Sequence, residues 1–470
     1  MKDLRDFITE VEELGELRTI EGADWHLEIG NITHVAAASP NPPALLFDKI
    51  KDYEAGYRIL SIPFTTQKRI ALALRLPLEA TGLEVVKMLR DKLRAPMELV
   101  PPVVVQDGPV LQNILTGNEV DLFRFPVPKW QSFDGGRYIG TGDTVIMKDP
   151  DEGWVNVGVH RIQAQDKSTA TIFIEHGKHA EAICHKYWER GQSCPVAVTC
   201  GGDPLHVAIG GIRIPWGVSE YDYIGWWDKK PLEVVKGPVT GLPIPAHSEL
   251  AFEGEIVPSE VESWEEGPFT EWTGHYTSAR KEPAFRVKSV LHRNDPIILA
   301  VLPFLGHGVG CYPSYLIKAA QVWNELDRIV PGVTGVWSHV EFGAMSMMVI
   351  SLKQHYGGHA KQAALAALPL LGYNQKFIIV VDDDIDPSDL RQVLFTLRLR
   401  SEPASWDILH GVYASTLDPL ISPEKQAAGD FTTSTAIIIA CKPYYWIDKF
   451  PPSFRLDSAV KQQVKEKWGL

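Results

Sequence analysis

The chain has 470 residues, of which 45% are hydrophobic and 22% charged, and its formal net charge is -13. This acidic balance argues against a nucleic-acid partner, which needs clustered Lys and Arg. No apolar run approaches the roughly 20 residues that span a bilayer, and the start lacks an apolar signal segment. The five cysteines form no CxxC pair, which is typical of reduced thiols in a cytoplasmic protein.

Residues 1–102 predict a small α/β part. Its opening helix is indicated by apolar residues at helical spacing, namely Leu4, Phe7, Ile8, Val11 and Leu14, with Gly15 as the end signal. A strand over 57–64 and helices over 67–76 and 83–93 follow. Consecutive prolines at 101 and 102 then mark a boundary.

Residues 103–312 are rich in β-branched and aromatic residues, punctuated by Gly, Pro and Asp. A hairpin is predicted from 144–148 and 155–163 around a turn at 149–153. Further strands are predicted over 169–174, 196–199, 249–257 and 284–293. A single helix over 180–190 is expected among them. Many strands and few helices favour a β-barrel or packed-sheet domain.

Residues 313–332 predict a linker helix, and β-α alternation returns over 333–455. Helices over 360–371 and 390–397 flank a buried strand over 377–381. The acidic run at 382–386 is interpreted as a charged strand exit. The last helix, 456–470, is expected to dock on a partner subunit, which predicts an oligomer.

Two carboxylates flank a Gly-Pro pair in the sequence EEGPFTE at 265–271. Glu266 and Glu271 would face opposite sides of a regular strand, but a turn at Gly267 and Pro268 could return both to one cavity. The neighbouring Phe269 could raise a carboxyl pKa by desolvation, and two carboxylates in unlike environments can divide acid and base roles. The alternative is a solvated acidic loop.

Polar residues interrupt a second apolar stretch, WVNVGVHR at 154–161. Asn156 and Arg161 would lie on opposite faces of a strand unless it bulges near Gly158. A buried Arg there could hold a carboxylate in a bidentate pair, whereas the alternative is an Arg at a strand end that reaches solvent. His179 is expected at a helix N-terminus, and Glu220 follows a tight Pro/Gly segment. Taken alone, these two read as a structural histidine and a surface or capping residue.

Taken in chain order, these stretches resemble the UbiD family of prenylated-FMN-dependent (de)carboxylases. The resemblance covers nearly the whole chain. It includes QHYGGHAK at 354–361 and VVDDDID at 380–386. It implies an α+β fold in which a central split β-barrel flavin-binding domain is flanked by N-terminal and C-terminal α/β parts. Homodimers, or hexamers built from them, are the assemblies it implies.

The resemblance also assigns roles to residues. It implies a Mn²⁺ or Mg²⁺ site, and the ligands by motif are Asn156, His179 and Glu220. The catalytic set that it implies is Arg161, Glu266 and Glu271. A K⁺ ion would be held by backbone in the segments of Val157 and 210–212, including Gly211 and Ile212. Lys178 would contact flavin or substrate, and the cofactor-binding set comprises Asn156, Val157, Arg161, Lys178, His179, Gly211, Ile212 and Glu220.

The implied reaction is reversible, non-oxidative decarboxylation of an aromatic, heteroaromatic or α,β-unsaturated acid through a covalent adduct with prenylated FMN. Glu271 is assigned as the acid that protonates carbon. A coenzyme A thioester stays open as substrate, and a flavin prenyltransferase would supply the cofactor. The candidate pocket residues are Phe304, His307, Tyr312, Phe431 and Thr435. Two alternatives remain at this point, a metal-dependent hydrolase and a non-catalytic flavin-binding protein.

Overall fold

A computed structural model describes residues 3–302, 313–339, 346–372, 375–452 and 458–469 of the chain. Its N-terminal elements are α1 (Leu4–Glu13), β1 (Leu17–Glu21), α2 (Glu28–Ala37), β2 (Ala44–Asp48), β3 (Arg58–Ser61), α3 (Gln67–Ala73) and α4 (Leu83–Arg94). The predicted helices α1, α3 and α4 and the strand β3 are confirmed. Within the described residues, no helix is both long and apolar enough to cross a bilayer.

The middle of the chain is dominated by strands. These are β4 (Val103–Val104), β5 (Asn113–Thr116), β6 (Arg137–Tyr138), β7 (Thr144–Lys148), β8 (Val155–Val159), β9 (Ile162–Ala164), β10 (Thr169–Ile172), β11 (Cys194–Cys200), β12 (Glu233–Lys236), β13 (Pro243–Pro245), β14 (Leu250–Ile256), β15 (Ser263–Glu266), β16 (Arg280–His292) and β17 (Ile297–Ala300). Three helices lie among them: α5 (His179–Trp188), α6 (Pro204–Gly210) and α7 (Glu220–Asp228). The expectation of a single helix was therefore wrong.

Most of these strands form one ten-stranded sheet. Its order is β6-β9-β10-β16-β14-β11-β7-β8, with β5 and β15 also paired to β16. The sheet curls into a half-barrel, which confirms the α+β prediction with a central split barrel. Gly254 lies at a bulge between β14 and β16, where a Cβ would fall 1.9 Å from the carbonyl oxygen of Arg286. Strand β17 instead joins the N-terminal sheet, whose order is β1-β2-β3-β17.

The C-terminal part begins with α8 (Pro313–Ile329), as expected for the linker helix. The remaining elements are β18 (Val333–Ser338), β19 (Met347–Leu352), α9 (His359–Leu371), β20 (Phe377–Asp382), α10 (Leu390–Arg400), β21 (Asp407–Tyr413), α11 (Pro423–Ala427), β22 (Thr432–Ala440) and α12 (Ser458–Trp468). Their sheet has the order β18-β19-β20-β22-β21. Arg400 bridges Asp382 and Asp384 where β20 ends, so two carboxylates of the acidic run are paired at the strand exit.

Two large apolar cores position the candidate site. One joins α1, α3 and α4 with α6 to α9, and it extends onto the C-terminal sheet. The other lies between the half-barrel and the helices α2 and α5. The wall of one large cavity contains residues of β8, of the segments before α5 and after α6, and of α8. Rigid packing on both sides therefore supports the side chains that face this cavity.

Candidate active site

Arg161 reaches the site because the chain leaves the sheet between two short strands. β8 ends at Val159 and β9 begins at Ile162, so the single strand predicted over 155–163 is broken rather than bulged. The carbonyl of Arg161 accepts a backbone hydrogen bond from Phe173 at 3.1 Å. Only 7% of Arg161 is exposed. The alternative of an Arg that reaches bulk solvent is therefore wrong.

A turn after β15 brings two carboxylates to that guanidinium. Gly267 has a φ of +85°, which favours glycine, and it directly precedes Pro268. Arg161 donates from Nε and Nη2 to the two oxygens of Glu266, both at 2.8 Å. Its Nη1 donates to Glu271 Oε1 at 2.5 Å. The interpretation of this segment as a solvated acidic loop is therefore wrong for both glutamates.

The two glutamates occupy unlike positions. Glu266 is completely buried and also accepts a hydrogen bond from the Tyr138 hydroxyl at 3.0 Å. Glu271 lines the cavity. Burial raises the pKa of Glu271, and the charge of Arg161 only partly opposes the shift. For Arg161, burial disfavours the charge, but the two carboxylates outweigh it and raise its pKa.

Aromatic rings enclose the guanidinium. The Arg161 Cζ atom lies 4.2 Å from the centroid of Phe173 and 5.2 Å from that of Phe269. These faces exclude water and attract the cation. The turn is anchored by Asp134, which accepts from the backbone N–H of Thr270 at 3.2 Å. The glutamates, Arg161 and their rings therefore form one rigid, mostly dry cluster.

Asn156, His179 and Glu220 were predicted as metal ligands, and the structure brings two of them into contact. Asn156 Nδ2 donates to Glu220 Oε1 at 3.2 Å, and the backbone N–H of Val157 donates to Glu220 Oε2 at 2.7 Å. Glu220 is buried at the start of α7, so it is not a surface residue. Burial raises its pKa to about 7, and the hydrogen bonds oppose this shift.

His179 opens α5, as expected, and its ring stands edge-on to Trp154 and Trp216. Burial and the charges of Lys178 and Arg213 lower its pKa, which favours the neutral imidazole that metals bind. Within the described residues, no three His, Cys, Asp or Glu side chains converge as a metal site. A metal here would therefore need the amide oxygen of Asn156 among its ligands.

One cavity of about 1100 Å³ connects both groups. Residues named from the sequence that line it are Asn156, Val157, Arg161, Lys178, His179, Gly211, Ile212, Glu220 and Glu271. Gly210 approaches the backbone of Val157 closely, since a Cβ on it would lie 3.4 Å from the Val157 carbonyl oxygen. The two segments predicted to hold K⁺ are thus neighbours.

The residues predicted to form the substrate pocket do not appear in the described lining of this cavity. Phe304, His307 and Tyr312 lie outside the described residues. Phe431 and Thr435 do not belong to the described lining of the cavity. Thr435 is fully buried in β22, where its hydroxyl donates to the carbonyl of Gln375 at 2.8 Å. Thr435 is therefore a core residue of the C-terminal sheet, because a buried hydroxyl satisfies the neighbouring backbone.

Several site residues were missed from the sequence. Tyr138 supports Glu266 across 128 positions of sequence, and no local motif marks it. α8 contributes a polar stripe to the cavity, and a three- to four-residue spacing could have revealed it. The stripe comprises Tyr315, Lys318, Gln321, Asn324, Glu325 and Arg328.

Comparison with known proteins identifies the family of this chain. Domains of 3-octaprenyl-4-hydroxybenzoate carboxy-lyase match in chain order: the N-terminal domain over 8–89, the Rift-related domain over 103–305 and the C-terminal domain over 311–441. The pyrrole-2-carboxylic acid decarboxylase of Pseudomonas aeruginosa is 30% identical over 99% of this chain and 97% of that protein. The chain therefore belongs to the UbiD family of carboxy-lyases.

Solved structures are similar over the whole chain. Vanillic acid decarboxylase of Sedimentibacter hydroxybenzoicus in closed form has a TM-score of 0.83 at 27% identity and covers 99% of both chains. The UbiD-class enzyme HmfF of Pelotomaculum thermopropionicum, in complex with FMN, has a TM-score of 0.85 at 25% identity and covers 98% of both. The likeness thus extends over all three matched domains.

Proposed function

We propose that this chain catalyses the reversible, non-oxidative decarboxylation of an aromatic, heteroaromatic or α,β-unsaturated carboxylic acid with prenylated FMN. The observation that carries the proposal is the Glu266–Arg161–Glu271 cluster at the wall of a cavity large enough for a flavin. The relatives that act on pyrrole-2-carboxylic and vanillic acids support it, as does the FMN complex of HmfF.

The reaction breaks a bond between an sp² carbon and CO₂, and it leaves an electron pair that no protein side chain can accept. Bound prenylated FMN supplies the electron sink. The residues of this chain hold the substrate acid, exclude water and deliver a proton to the carbon that carried CO₂. CO₂ leaves with the carboxylate oxygens, and one proton must be delivered to the carbon that carried it.

Arg161 is proposed to orient the substrate carboxylate. A guanidinium has five N–H donors, and three of them bond to Glu266 and Glu271. A fourth donor, on Nη2, reaches the Thr277 hydroxyl at 3.5 Å, so the donor left on Nη1 can face a substrate carboxylate in the cavity. Glu266 lies behind Arg161 and fixes its plane through the bidentate pair.

Glu271 is proposed as the proton donor. One guanidinium neutralises one buried carboxylate, and Glu266 makes the bidentate contact. The second buried carboxyl is then most stable when protonated, in keeping with the raised pKa of Glu271. Glu271 gives this proton to the carbon after CO₂ leaves. In the carboxylation direction its carboxylate takes the proton back.

Asn156, His179 and Glu220 fit a Mn²⁺ or Mg²⁺ ion by the chemistry of their donor atoms. Two oxygens and one imidazole, with no thiolate, suit these hard cations. In the structure Asn156 Nδ2 donates to Glu220 Oε1, so an ion held by both residues requires the Asn156 amide to turn and present its oxygen instead. The buried Glu220 carboxyl, with its raised pKa, would be stabilised by a cation. The backbone at Val157 and 210–212 is proposed to hold K⁺.

An acid panel tests the proposal. The protein is co-expressed with a flavin prenyltransferase, the proposed cofactor supplier, and its visible absorbance is recorded. Product and CO₂ are then measured on pyrrole-2-carboxylate, vanillate and related aryl acids, with their coenzyme A thioesters in parallel. We expect a bound chromophore and turnover on at least one acid, and no turnover without the prenyltransferase. A metal-dependent hydrolase would show metal-dependent activity with no bound chromophore. A non-catalytic flavin-binding protein would bind the flavin but turn over none of the acids.

The oligomeric state is part of the proposal. α12 carries Val460, Val464 and Trp468 at four-residue spacing, and all three are exposed. An apolar stripe of this kind is typical of a helix that packs on another subunit. We expect a homodimer, or a hexamer built from three dimers, by light scattering. A strictly monomeric protein would contradict this part.

A further inference from the structure

We propose that Asp134 is a positioning residue for Glu271, the side chain assigned as proton donor. Asp134 lies in the loop 131–136, which leads into β6 and which we call the clamp loop. It does not belong to the described lining of the cavity, so it would act through the backbone that carries Glu271 rather than on the substrate. Because it concerns the residue that gives the proton, this inference rests on the proposed function.

The carboxylate of Asp134 joins two segments that are far apart in the chain. Its Oδ2 accepts from the backbone N–H of Gln131 at 2.8 Å, within the clamp loop. Its Oδ1 accepts from the backbone N–H of Thr270 at 3.2 Å and from the Thr270 hydroxyl at 3.3 Å. Thr270 is 136 positions away and directly precedes Glu271. One side chain therefore ties the clamp loop to the residue before the proton donor.

Backbone contacts hold the same turn at two more places. The N–H of Gly135 donates to the carbonyl of Pro268 at 2.7 Å. A Cβ on Gly135 would fall 1.8 Å from the carbonyl oxygen of Gly267, so the two backbones can approach this closely only because residue 135 is a glycine. The N–H of Gly267 in turn donates to Gln163 Oε1 at 2.8 Å. The turn is thus fixed at three of the four residues that precede Glu271.

The backbone bonds of Glu271 itself are local. Its N–H donates to the carbonyl of His275 at 3.1 Å, and its carbonyl accepts from the N–H of Gly274 at 2.9 Å. These bonds set the shape of the turn but not its place relative to the cavity. A proton donor must lie within hydrogen-bond reach of the atom it protonates, and a displacement of about 1 Å can cost about 100-fold in rate. The contacts of the clamp loop supply that placement.

The chemistry of the site explains why a carboxylate stands at position 134. Only 2% of Asp134 is exposed. Burial raises its pKa to about 6, and the bonds from Gln131 and Thr270, with the charge of Lys129, oppose the shift. A carboxylate accepts hydrogen bonds at both oxygens, whereas an asparagine would present an NH₂ group to one of the two segments. A role confined to the clamp loop would leave the bonds to Thr270 without a purpose.

Two variants and one control test the positioning role. Asp134→Asn exchanges one acceptor oxygen for a donor, and Thr270→Val removes the hydroxyl but keeps the backbone N–H. Asp166→Asn is the matched control, because Asp166 also caps a loop of the half-barrel. Its bonds from the backbone N–H groups of Ser168 and Thr169, at 2.8 and 2.7 Å, stay within that loop. All proteins are made with the flavin prenyltransferase.

Proton exchange at the product carbon in D₂O, kcat, KM and flavin content are measured for each protein. We expect Asp134→Asn to retain flavin and KM but to lower exchange and kcat about 10- to 100-fold, which is the loss that a displaced proton donor produces. Thr270→Val should lower both by a smaller factor, because one of its two bonds remains. The Asp166→Asn control should match the wild type.

Thermal unfolding separates positioning from stability. Loss of a capping bond should lower the unfolding temperature of Asp134→Asn and of Asp166→Asn alike. A merely structural Asp134 would give the lower temperature with wild-type kcat and exchange per flavin-loaded site, and that result would overturn the proposal. Loss of flavin from Asp134→Asn would also overturn it, because the residue would then act on cofactor binding. If Asp134→Asn does not fold, wild-type kcat and exchange in Thr270→Val would overturn the proposal.

Backbone amide exchange in the flavin-free proteins tests the clamp loop without any reaction. Mass spectrometry should show faster amide exchange over 268–277 in Asp134→Asn than in the wild type, and no change there in Asp166→Asn. Equal exchange over 268–277 in Asp134→Asn would overturn the proposal. A wild-type enzyme that turns over no acid would refute the proposed function, whereas an active wild type with equally active variants would refute only the positioning role.

Discussion

Glu266→Gln tests the buried ion pair that supports the proposed reaction. The change keeps the side-chain shape but removes the charge that faces two Arg161 donors, each at 2.8 Å. The NH₂ group of the new glutamine would also face an N–H donor of Arg161, and two donors cannot form a hydrogen bond with each other. Because Glu266 is completely buried and Arg161 nearly so, water cannot replace the lost partner. Removing one partner of such a pair costs about 3–5 kcal/mol.

The second effect falls on Glu271. With Glu266 neutral, Glu271 becomes the sole carboxylate partner of Arg161, so its pKa should fall and it should hold its proton less well. We therefore expect lower activity together with an optimum shifted to lower pH.

Differential scanning fluorimetry and pH–rate profiles measure both effects. Glu265→Gln is the matched control, since Glu265 is the exposed neighbour in β15. Glu266→Gln should unfold several degrees below the control and should lose activity. Equal unfolding temperatures for the two variants would refute the reasoning, because they would show that no buried ion pair had been broken.

Three further predictions concern other buried groups. Burial raises the pKa of Asp143 well above its usual value, so the folded state keeps a proton that the unfolded chain releases. Wild-type stability should fall relative to Asp143→Asn by about 1.4 kcal/mol per pH unit from about pH 4 up to the raised pKa; parallel denaturation curves would contradict this. Tyr138→Phe removes a hydrogen bond to the Glu266 carboxylate and should cost about 1.5–3 kcal/mol in urea unfolding, and an unchanged midpoint would argue against that bond. Glu220→Ala should lose metal and flavin together, measured by elemental analysis and absorbance, and normal flavin retention would count against the metal role.

Much of the fold could be predicted because its helices and strands carry clear periodicities. α1 and α4 each present one apolar face to the core. The hairpin of β7 and β8 joins two short strands rich in β-branched residues through a turn rich in Asp, Pro and Gly. α6 and α7 were missed for a physical reason. Nearly all residues of both are buried, so neither has the polar face that marks an amphipathic helix.

The site was predictable only in part. Residue types and spacing suggested Glu266 and Glu271 as a pair, because Gly267 and Pro268 favour a turn that can bring both carboxylates to one cavity. Local pattern could not show that Arg161 lies between them, because 105 and 110 positions separate it from the two glutamates. Only the family resemblance supplied that link. The cytoplasmic location, the domain boundaries and the residue roles stay predictions.

Hydrogen–deuterium exchange at the product carbon in Glu271→Gln tests the central claim most directly. The variant is made with the flavin prenyltransferase and supplied with the decarboxylated product in D₂O, beside the wild type. Proton transfer by a positioned acid contributes about 10²- to 10⁴-fold to rate. We predict that the variant retains the bound chromophore and its fold but loses exchange and turnover by that order. Wild-type exchange in a flavin-loaded Glu271→Gln protein would contradict the account.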